Sequence, residues 1–326
     1  DEYVLRSEGA TYETILAAGG GIHSTTRATV AARDETLIDL ACERAAIMLA
    51  HGVTTLEIKS GYGLTLAEEL RLLRIIQRVA ERIPQRVVPT LLLHVVPPGL
   101  SRVEHVAAIV ETLVPAVANE GLATAVDVFC DTGAFTLDET RRIFEAARSH
   151  GLPCKAHAEQ LHHTGASSLV AEFGGLSADH LEYATPQDWE RMARANTVAT
   201  ILPGAAVVLR KPVPSARQIW DAGVRVAVAT DHNPGSSPLY SLPLALQLAV
   251  GLGGLTVPEA LTAGTKHAAL ALGREDLGTL EVGAAADFVV LRGSRVYELL
   301  ARWGDAPIHA VYRDGVCVWQ QKGSLL

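Results

Sequence analysis

The sequence predicts an α/β fold, a TIM-like (β/α)8 barrel followed by part of a small β-sandwich. Short strands rich in β-branched residues or alanine alternate seven times with helical segments, an order typical of a parallel sheet. Polar residues repeatedly stand at the C-terminal ends of these strands, where barrel enzymes place their active sites. Residues 273–326 instead contain short strands split by turn glycines.

The length and net charge of the chain limit its possible domain organisation and its possible partners. The 326 residues are enough for one large barrel or two ordinary domains. The net charge of -8 argues against a nucleic-acid or anionic-membrane partner, although it leaves room for an anionic small substrate. The longest apolar stretch, residues 242–255, is shorter than the ~20 residues that a membrane span needs. With no visible signal peptide and four scattered cysteines, we expect a cytoplasmic protein with reduced, buried thiols.

The N-terminal residues 1–33 are predicted to be a polar, glycine-bearing lead-in. The run Ala18-Gly-Gly-Gly-Ile22 is not followed by Gly-Lys-Ser/Thr, so a sharp turn near a site mouth is favoured over a phosphate loop. Apolar residues at helical spacing then predict a helix over 34–51, with Asp34 as its cap.

The central part of the chain alternates between strands and helices. Strands are predicted at 54–59, 86–94, 124–130, up to His157, up to His180, 198–202 and 225–230. Helices are predicted at 67–82, 102–118, 137–150, after His157, after His180, and at 215–222, 239–251 and 257–272. A doubly wound sheet is disfavoured because no Gly-x-Gly-x-x-Gly turn follows the first strand. A closed barrel has eight strands, so either one was missed or the first lies upstream of Asp1.

The tail has a different pattern. Strands are predicted at 278–283, 286–291 and 310–319, and Asp314-Gly315 is a hairpin signal. These strands are too few to form an independent domain. We therefore predict a catalytic barrel domain at 1–272 and the C-terminal strands of a small β-sandwich at 273–326.

Three strand ends carry the residue types of a metal site: His157, His180 and Asp231. Two imidazoles and a carboxylate suit Zn²⁺ or Fe²⁺ with an open position for water, whose pKa the metal would lower. Each residue alone is more often a satisfied polar group at a strand end, but their shared placement favours a hydrolytic metal centre. Gly235-Ser-Ser-Pro238 does not match a serine nucleophile motif.

Several other polar residues are expected at the same rim. Lys59 is read either as a carbamylated or Schiff-base lysine or, more often in proteins, as an ion-paired one. Tyr62, His94 and Asn233 would suit a polar substrate, with hydrogen-bonded loop residues as the alternative.

Several motifs together resemble the imidazolonepropionase family of the amidohydrolase superfamily. The motifs are Glu57-Ile-Lys-Ser-Gly-Tyr-Gly-Leu64, His94-Val-Val-Pro-Pro98, Val126-Asp-Val-Phe-Cys130, Lys155-Ala-His-Ala-Glu-Gln160, Ser177-Ala-Asp-His-Leu-Glu-Tyr183 and Thr230-Asp-His-Asn-Pro-Gly235. The resemblance runs from Glu2 through the tail. It implies a barrel of the metal-dependent hydrolase type that converts 4-imidazolone-5-propanoate to N-formimidoyl-L-glutamate in histidine degradation.

The resemblance also implies roles for individual residues. His157 and Asp231 match the ligands of one Zn or Fe ion, and His180 matches the histidine that orients or deprotonates the water. Asp231 would also pass a proton to the leaving nitrogen. Gln160 matches a position that contacts the imidazolone ring. Further positions that match substrate-holding residues are Tyr62, His94, Asn233, Gly235 and Ser236. Family members are commonly dimers, which suggests a homodimer.

The sequence departs from the family in one respect. The family's His-x-His pair, at the end of the first barrel strand, and the arginine that follows it are not in this chain. We therefore expect a chain that starts after this segment, with weakened metal affinity. Two alternatives stay open: another cyclic-amide amidohydrolase or deaminase, or an inactive fragment.

Overall fold

A computed structural model describes residues 2–9, 14 and 19–321. Its main feature is a curled sheet of seven parallel strands, each hydrogen-bonded to the next in chain order. The strands are β1 Thr55–Lys59, β2 Arg86–Leu93, β3 Ala125–Cys130, β4 Cys154–Ala158, β5 Ser177–His180, β6 Val198–Ile201 and β7 Val226–Val228. The seven predicted strands are confirmed. A sequential order excludes the doubly wound alternative, in which the strand order reverses.

Helices connect these strands and cover the sheet. Their bounds are α1 Glu2–Ser7, α2 Ile22–Ala31, α3 Asp34–Ala50, α4 Leu66–Arg82, α5 Arg102–Ala108, α6 Val114–Glu120, α7 Leu137–Ser149, α8 Ala166–Glu172, α9 Pro186–Ala195, α10 Pro203–Val208, α11 Ala216–Asp221, α12 Leu242–Gly251, α13 Val257–Ala263, α14 Lys266–Leu270 and α15 Glu298–Ala301. A π-helical turn, Ile109–Leu113, joins α5 to α6. Thr136 caps α7 in a reciprocal pair with Glu139, which satisfies two of the free N–H groups at that helix start.

Some predictions about helices were wrong. The predicted lead-in contains two helices, α1 and α2, and the start of α2 places Ile22 in a buried position. Asp34 is the first residue inside α3 rather than its cap, which is Arg33. The segment predicted as one helix over 257–272 is divided between α13 and α14, and α10 and α15 were not predicted.

The strand sequences explain how side chains are shared between the two faces of the sheet. Cys154, Ala156 and Ala158 of β4 belong to the main hydrophobic core, while Lys155 and His157 alternate with them and point to the opposite face. All five residues of this strand are buried. The alternation therefore directs polar groups into the sheet's concave interior and small apolar groups towards the helices.

A second sheet follows the barrel-like part. Its antiparallel strands are β8 Phe288–Leu291, β9 Ile308–Arg313 and β10 Val316–Gln320, in the order β10-β9-β8. The predicted hairpin is confirmed, and Asp314 and Gly315 both have positive φ, as a tight turn between strands requires. The strand predicted at 278–283 is wrong, because these residues form bends and a turn. The boundary between 272 and 273 stays a prediction.

The structure also tests the predictions about the cysteines and about a membrane span. The four cysteines are free; Cys130 and Cys154 are buried, but Cys317 is exposed, so the expectation that all are buried was wrong. None of the helices in the described part of the chain combines the length and hydrophobicity that crossing a membrane requires.

Candidate metal centre and active site

The three predicted site residues lie together at the C-terminal edge of the sheet. His157 is in β4, His180 ends β5, and Asp231 follows β7. One candidate ligand atom from each lies within 4.8 Å of the other two. Since β4 and β5 are neighbours and β7 is further along the same curled sheet, only the curvature brings Asp231 to the two histidines.

The backbone at two of these residues is strained. His180 has φ 81° and Asp231 has φ 52°, values that cost a non-glycine residue about 1–3 kcal/mol. Leu181 continues the left-handed backbone with φ 72°. Such strain persists where the surrounding structure over-determines it and is concentrated at functional sites. Here it turns the ends of two strands so that their side chains face each other.

A buried carboxylate orients His157. Its Nδ1 lies 3.1 Å from Oδ1 of Asp127, which is fully buried. A carboxylate in this position accepts a hydrogen bond from Nδ1–H and leaves Nε2 as the free ligand atom, as is usual for metal-bound histidines. Asp127 therefore fixes which nitrogen of His157 faces the cluster with His180 and Asp231.

Asp127 belongs to a network of charged side chains beneath the site. The Lys59 Nζ lies 2.5 Å from Oδ2 of Asp127, 3.3 Å from Oδ2 of Asp179 and 3.2 Å from Oε2 of Glu57. Lys155 donates to the other Glu57 oxygen at 2.7 Å. Lys59 is therefore ion-paired, the more common of the two interpretations of this lysine.

The charges in this network sustain one another. Burial would lower the pKa of Lys59, but Asp127, Glu57 and Asp179 outweigh burial and hold that pKa well above its ordinary value. Burial would likewise raise the pKa of Asp127, but His157 and Lys59 hold it well below its usual range. The lysine stays cationic and the aspartate anionic at neutral pH.

His180 has a different partner. Its Nδ1 lies 3.7 Å from Glu182, too far for a hydrogen bond, and both side chains are 1% exposed. Burial alone would lower the pKa of His180, but the nearby Glu182 carboxylate raises it to about 9. Burial raises the pKa of Asp231 from its ordinary value. A cationic histidine and a buried carboxylate thus share the site.

Aromatic and imidazole rings line the next part of the rim. The His94 ring packs edge-on against Tyr62 and Phe129, with centroid separations of 5.4 and 5.5 Å. Burial and the neighbouring His157 lower the pKa of His94 to about 3. His94 is therefore a neutral hydrogen-bonding group at physiological pH, which suits contact with a polar substrate.

The loop that carries Tyr62 is held by one buried side chain. Glu69 accepts hydrogen bonds from the backbone N–H groups of Gly61, Gly63 and Leu64, at 2.7–2.8 Å. A Cβ at Gly61 would lie 2.7 Å from Leu92, and one at Gly63 would lie 2.7 Å from the backbone of Glu68. The close contacts at these two positions leave room only for glycine, and Glu69 was not anticipated as the clamp of this loop.

The segment after Asp231 forms a compact turn. Asn233 accepts from the N–H groups of Gly235 and Ser236 at 2.8 and 2.7 Å, and donates to the Asp231 carbonyl at 2.7 Å. Ser236 lies 3.3 Å from Oδ2 of Asp231. The Asn233 side chain thus stabilises the loop, as expected for a hydrogen-bonded loop residue, the alternative to a substrate-binding role. Ser236 is placed beside the candidate ligand.

Gln160 lies in the loop that follows β4 and is buried. Its neighbour Glu159 accepts from the N–H groups of Thr164 and Ser167 at the start of α8, at 2.6 and 3.0 Å. A carboxylate at a helix N-terminus is electrostatically favourable. Glu159 therefore fixes the loop, and the adjacent Gln160 is held at the same end of the sheet as His157.

The cluster of His157, His180 and Asp231, called the upper cluster below, has side chains that fit a metal ion. It supplies two imidazoles and one carboxylate, the ligand types of catalytic zinc and non-haem iron sites. His157 has its supporting carboxylate, and the buried Nδ1 of His180 has no hydrogen-bond partner among the residues that the structure describes. The sequence analysis did not single out Asp127, Asp179 or Glu182. The available signal was an acidic residue inside each of the buried strands β3 and β5, Asp127 and Asp179.

Comparison with known proteins agrees with this arrangement. The family model described as the amidohydrolase family matches residues 42–318, so the chain belongs to the amidohydrolases, hydrolases of the TIM-like fold. An imidazolonepropionase of Deinococcus radiodurans is 48% identical over 314 residues, 96% of this chain and 78% of that protein. One of Deinococcus deserti is 47% identical over 97% of this chain and 79% of its own length. Within the amidohydrolases, the chain is a member of the imidazolonepropionases.

Solved structures share the fold at low identity. A 5-methylcytosine deaminase of Klebsiella pneumoniae superposes with a TM-score of 0.78 at 16% identity, covering 94% of this chain and 80% of that one. An adenosine deaminase of Xanthomonas campestris, with bound zinc, has a TM-score of 0.70 at 17% identity, covering 89% and 71%. These likenesses confirm the barrel architecture and do not bear on the substrate.

Proposed function

We propose that this protein hydrolyses the ring amide of 4-imidazolone-5-propanoate to N-formimidoyl-L-glutamate, the imidazolonepropionase reaction of histidine degradation. The observation that carries the proposal is the convergence of His157, His180 and Asp231 at the rim of an amidohydrolase barrel. The named relatives support the choice of substrate. The alternative activities on other cyclic amides have no comparable support.

In the proposed metal centre, His157 and Asp231 would hold one Zn or Fe ion. When bound, the ion makes water nucleophilic near neutral pH and polarises the amide carbonyl. His180 is proposed as the residue that orients or deprotonates this water. A neighbouring positive charge lowers the pKa of a histidine, which moves His180 from about 9 towards the neutral, proton-accepting form.

Asp231 is proposed to move the proton that ring opening requires. Water adds to the carbonyl carbon, the C–N bond breaks, and the leaving ring nitrogen needs a proton. Burial has already raised the pKa of Asp231, so this carboxylate can take the proton of water and give it to the nitrogen. Gln160, on the loop after β4, is proposed to hold the imidazolone ring for this transfer.

The propanoate end and the rest of the substrate are assigned to the surrounding loops. Tyr62 and the neutral His94, which contact each other, would donate hydrogen bonds or accept them from the ring. The turn after Asp231 offers the backbone of Gly235 and the hydroxyl of Ser236 to the substrate. The partner we propose is thus this small molecule, without nucleic acid or membrane; the homodimer and the cytoplasmic location stay predictions.

The proposal is tested by incubating the metal-loaded protein with 4-imidazolone-5-propanoate and measuring N-formimidoyl-L-glutamate by mass spectrometry. We expect this substrate to be turned over at least tenfold faster than hydantoin or dihydroorotate. An Asp231→Asn variant should lose activity by a factor of about 10² or more, because it removes a charged ligand and the proton carrier. Faster turnover of another cyclic amide would support the alternative instead.

A further inference from the structure

His157 belongs to two clusters of potential metal ligands. One is the upper cluster with His180 and Asp231. The other, called the lower cluster, is formed with Asp127 and Asp179 deeper in the sheet. In each cluster, the candidate ligand atoms lie within 4.8 Å of one another. Carboxylate oxygens with an imidazole are donors that divalent cations accept. By donor chemistry alone, the lower cluster is a cation site adjacent to the first.

A side-chain cation already occupies the lower cluster. The Lys59 ammonium lies 2.5 Å from Asp127 and 3.3 Å from Asp179. These carboxylates come from β3 and β5, while Lys59 ends β1. The ammonium therefore contacts the two carboxylates that a metal ion in this cluster would need as ligands.

The charges below the site depend on this lysine. Three carboxylates, of Glu57, Asp127 and Asp179, face the two ammonium groups of Lys59 and Lys155. Lys155 is within ion-pair distance of Glu57 at 2.7 Å. Without Lys59, the buried Asp127 and Asp179 would therefore lose the cation that contacts them. Buried charges without a partner are unfavourable, so another cation would be drawn in.

We propose that Lys59 is a resident cation that keeps a second divalent metal ion out of the Asp127–Asp179 cluster. With the lysine in place, Oδ1 of Asp127 remains available to His157 Nδ1 at 3.1 Å. His157 then serves a single ion through Nε2. The inference rests on the proposed function only in assigning that ion to the upper cluster.

The test compares Mn²⁺ binding by the wild-type chain and by Lys59→Met, in which an apolar side chain of similar length replaces the lysine. Equilibrium dialysis with elemental analysis counts the bound Mn²⁺, and electron paramagnetic resonance detects two ions about 4 Å apart by their magnetic coupling. We expect Lys59→Met to bind one equivalent more than wild type and to show a coupled pair when both clusters are filled.

Lys155→Met is the matched control. It removes an ammonium from the same interior, one that is 2% exposed where Lys59 is 22% exposed, and leaves Lys59 on Asp127 and Asp179. We expect its Mn²⁺ stoichiometry to equal that of wild type. A gain in this control equal to that in Lys59→Met would overturn the proposal, since the effect would then be one of net charge alone.

Three further outcomes would contradict the proposal: equal stoichiometry in Lys59→Met and wild type, loss of metal in Lys59→Met, or a coupled pair in wild type. Loss would mean that Lys59 is itself a ligand. If Lys59→Met does not fold, as judged by circular dichroism, the wild-type spectrum at saturating Mn²⁺ decides by the presence or absence of a coupled pair. If wild type bound no Mn²⁺ and Lys59→Met bound one equivalent, this inference would be supported, but the proposed metal site in the upper cluster would be refuted.

Discussion

At the scale of single residues, the site is governed by carboxylates placed next to imidazoles. Asp127 holds one nitrogen of His157, while Glu182 lies beside His180 without hydrogen bonding to it. These two pairings give the histidines different tasks. We propose that the first imidazole is a metal ligand and that the second exchanges a proton.

The pairing of His180 with Glu182 predicts a pH dependence of stability in the metal-free protein. The folded-state pKa of about 9 lies above the ordinary value of 6.5. This stabilisation is complete below pH 6.5 and is lost as the pH rises through 9, because the folded state then gives up its extra proton. The shift corresponds to at most about 3 kcal/mol.

We therefore expect the free energy of unfolding of wild type, measured by urea titration with a chelator present, to fall between pH 6.5 and 9 more than that of His180→Gln. His150→Gln, at an exposed histidine that ends α7, is the control and should behave like wild type. Identical pH profiles for wild type and His180→Gln would mean that Glu182 does not stabilise the histidinium.

At the scale of elements, buried carboxylates clamp the loops that follow the strands. Glu69 reaches from α4 to the loop after β1, and Glu159 ties the loop after β4 to α8. Each glutamate accepts hydrogen bonds from several backbone N–H groups, and hydrogen bonds to a charged acceptor are stronger than those to a neutral one. We propose that the loops carrying Tyr62 and Gln160 are thereby held in place to bind the substrate.

Glu69→Gln tests this support. The amide keeps one acceptor oxygen but turns an NH₂ group towards a backbone N–H, so we expect a loss of about 2 kcal/mol in the free energy of unfolding. Because Tyr62 is proposed to bind substrate, KM should rise about five- to tenfold with a smaller change in kcat. Glu81→Gln, exposed on the same helix, should change neither value. A lower stability with unchanged KM would show that the clamp has no role in binding.

The sequence was sufficient to predict the seven parallel strands. It was also sufficient to place the three rim residues together, because strand ends in a parallel sheet meet at one edge. His157, His180 and Asp231 could be placed together without knowing any register. Asp127 and Glu182 could not be recognised, since their roles depend on which atoms meet across strands 30 residues apart or across a strained turn. The segment 278–283 has a β-rich composition but pairs with no strand in the described part of the chain, and composition alone does not reveal this.

At the scale of the whole molecule, the small sheet is fastened to the barrel-like part. Ile308 packs in a cluster with Leu49 of α3. Arg86 of β2 bonds Asp314 at 3.0 Å, and Arg313 donates to the Pro84 carbonyl at 2.7 Å. Apolar contacts and hydrogen bonds thus join the two sheets, and we expect them to unfold as one unit.

Ile308→Ala tests that coupling. Removing a buried isoleucine should cost about 2–5 kcal/mol. If the sheets unfold together, hydrogen exchange followed by mass spectrometry should accelerate equally in peptides covering β3 and β9. Val316→Ala, at an exposed position of the same sheet, should leave both rates unchanged. Faster exchange in β9 alone would mean that residues 273–326 unfold independently.

The central claim is that a metal ion at His157 and Asp231 drives hydrolysis of 4-imidazolone-5-propanoate. The most direct measurement is the initial rate of N-formimidoyl-L-glutamate formation as Zn²⁺ or Fe²⁺ is added back to chelator-treated protein. We expect no activity without metal and a rate that rises gradually to a plateau as the added metal saturates one site per chain. Full activity in metal-free protein, or no product from protein carrying a full equivalent, would contradict the account.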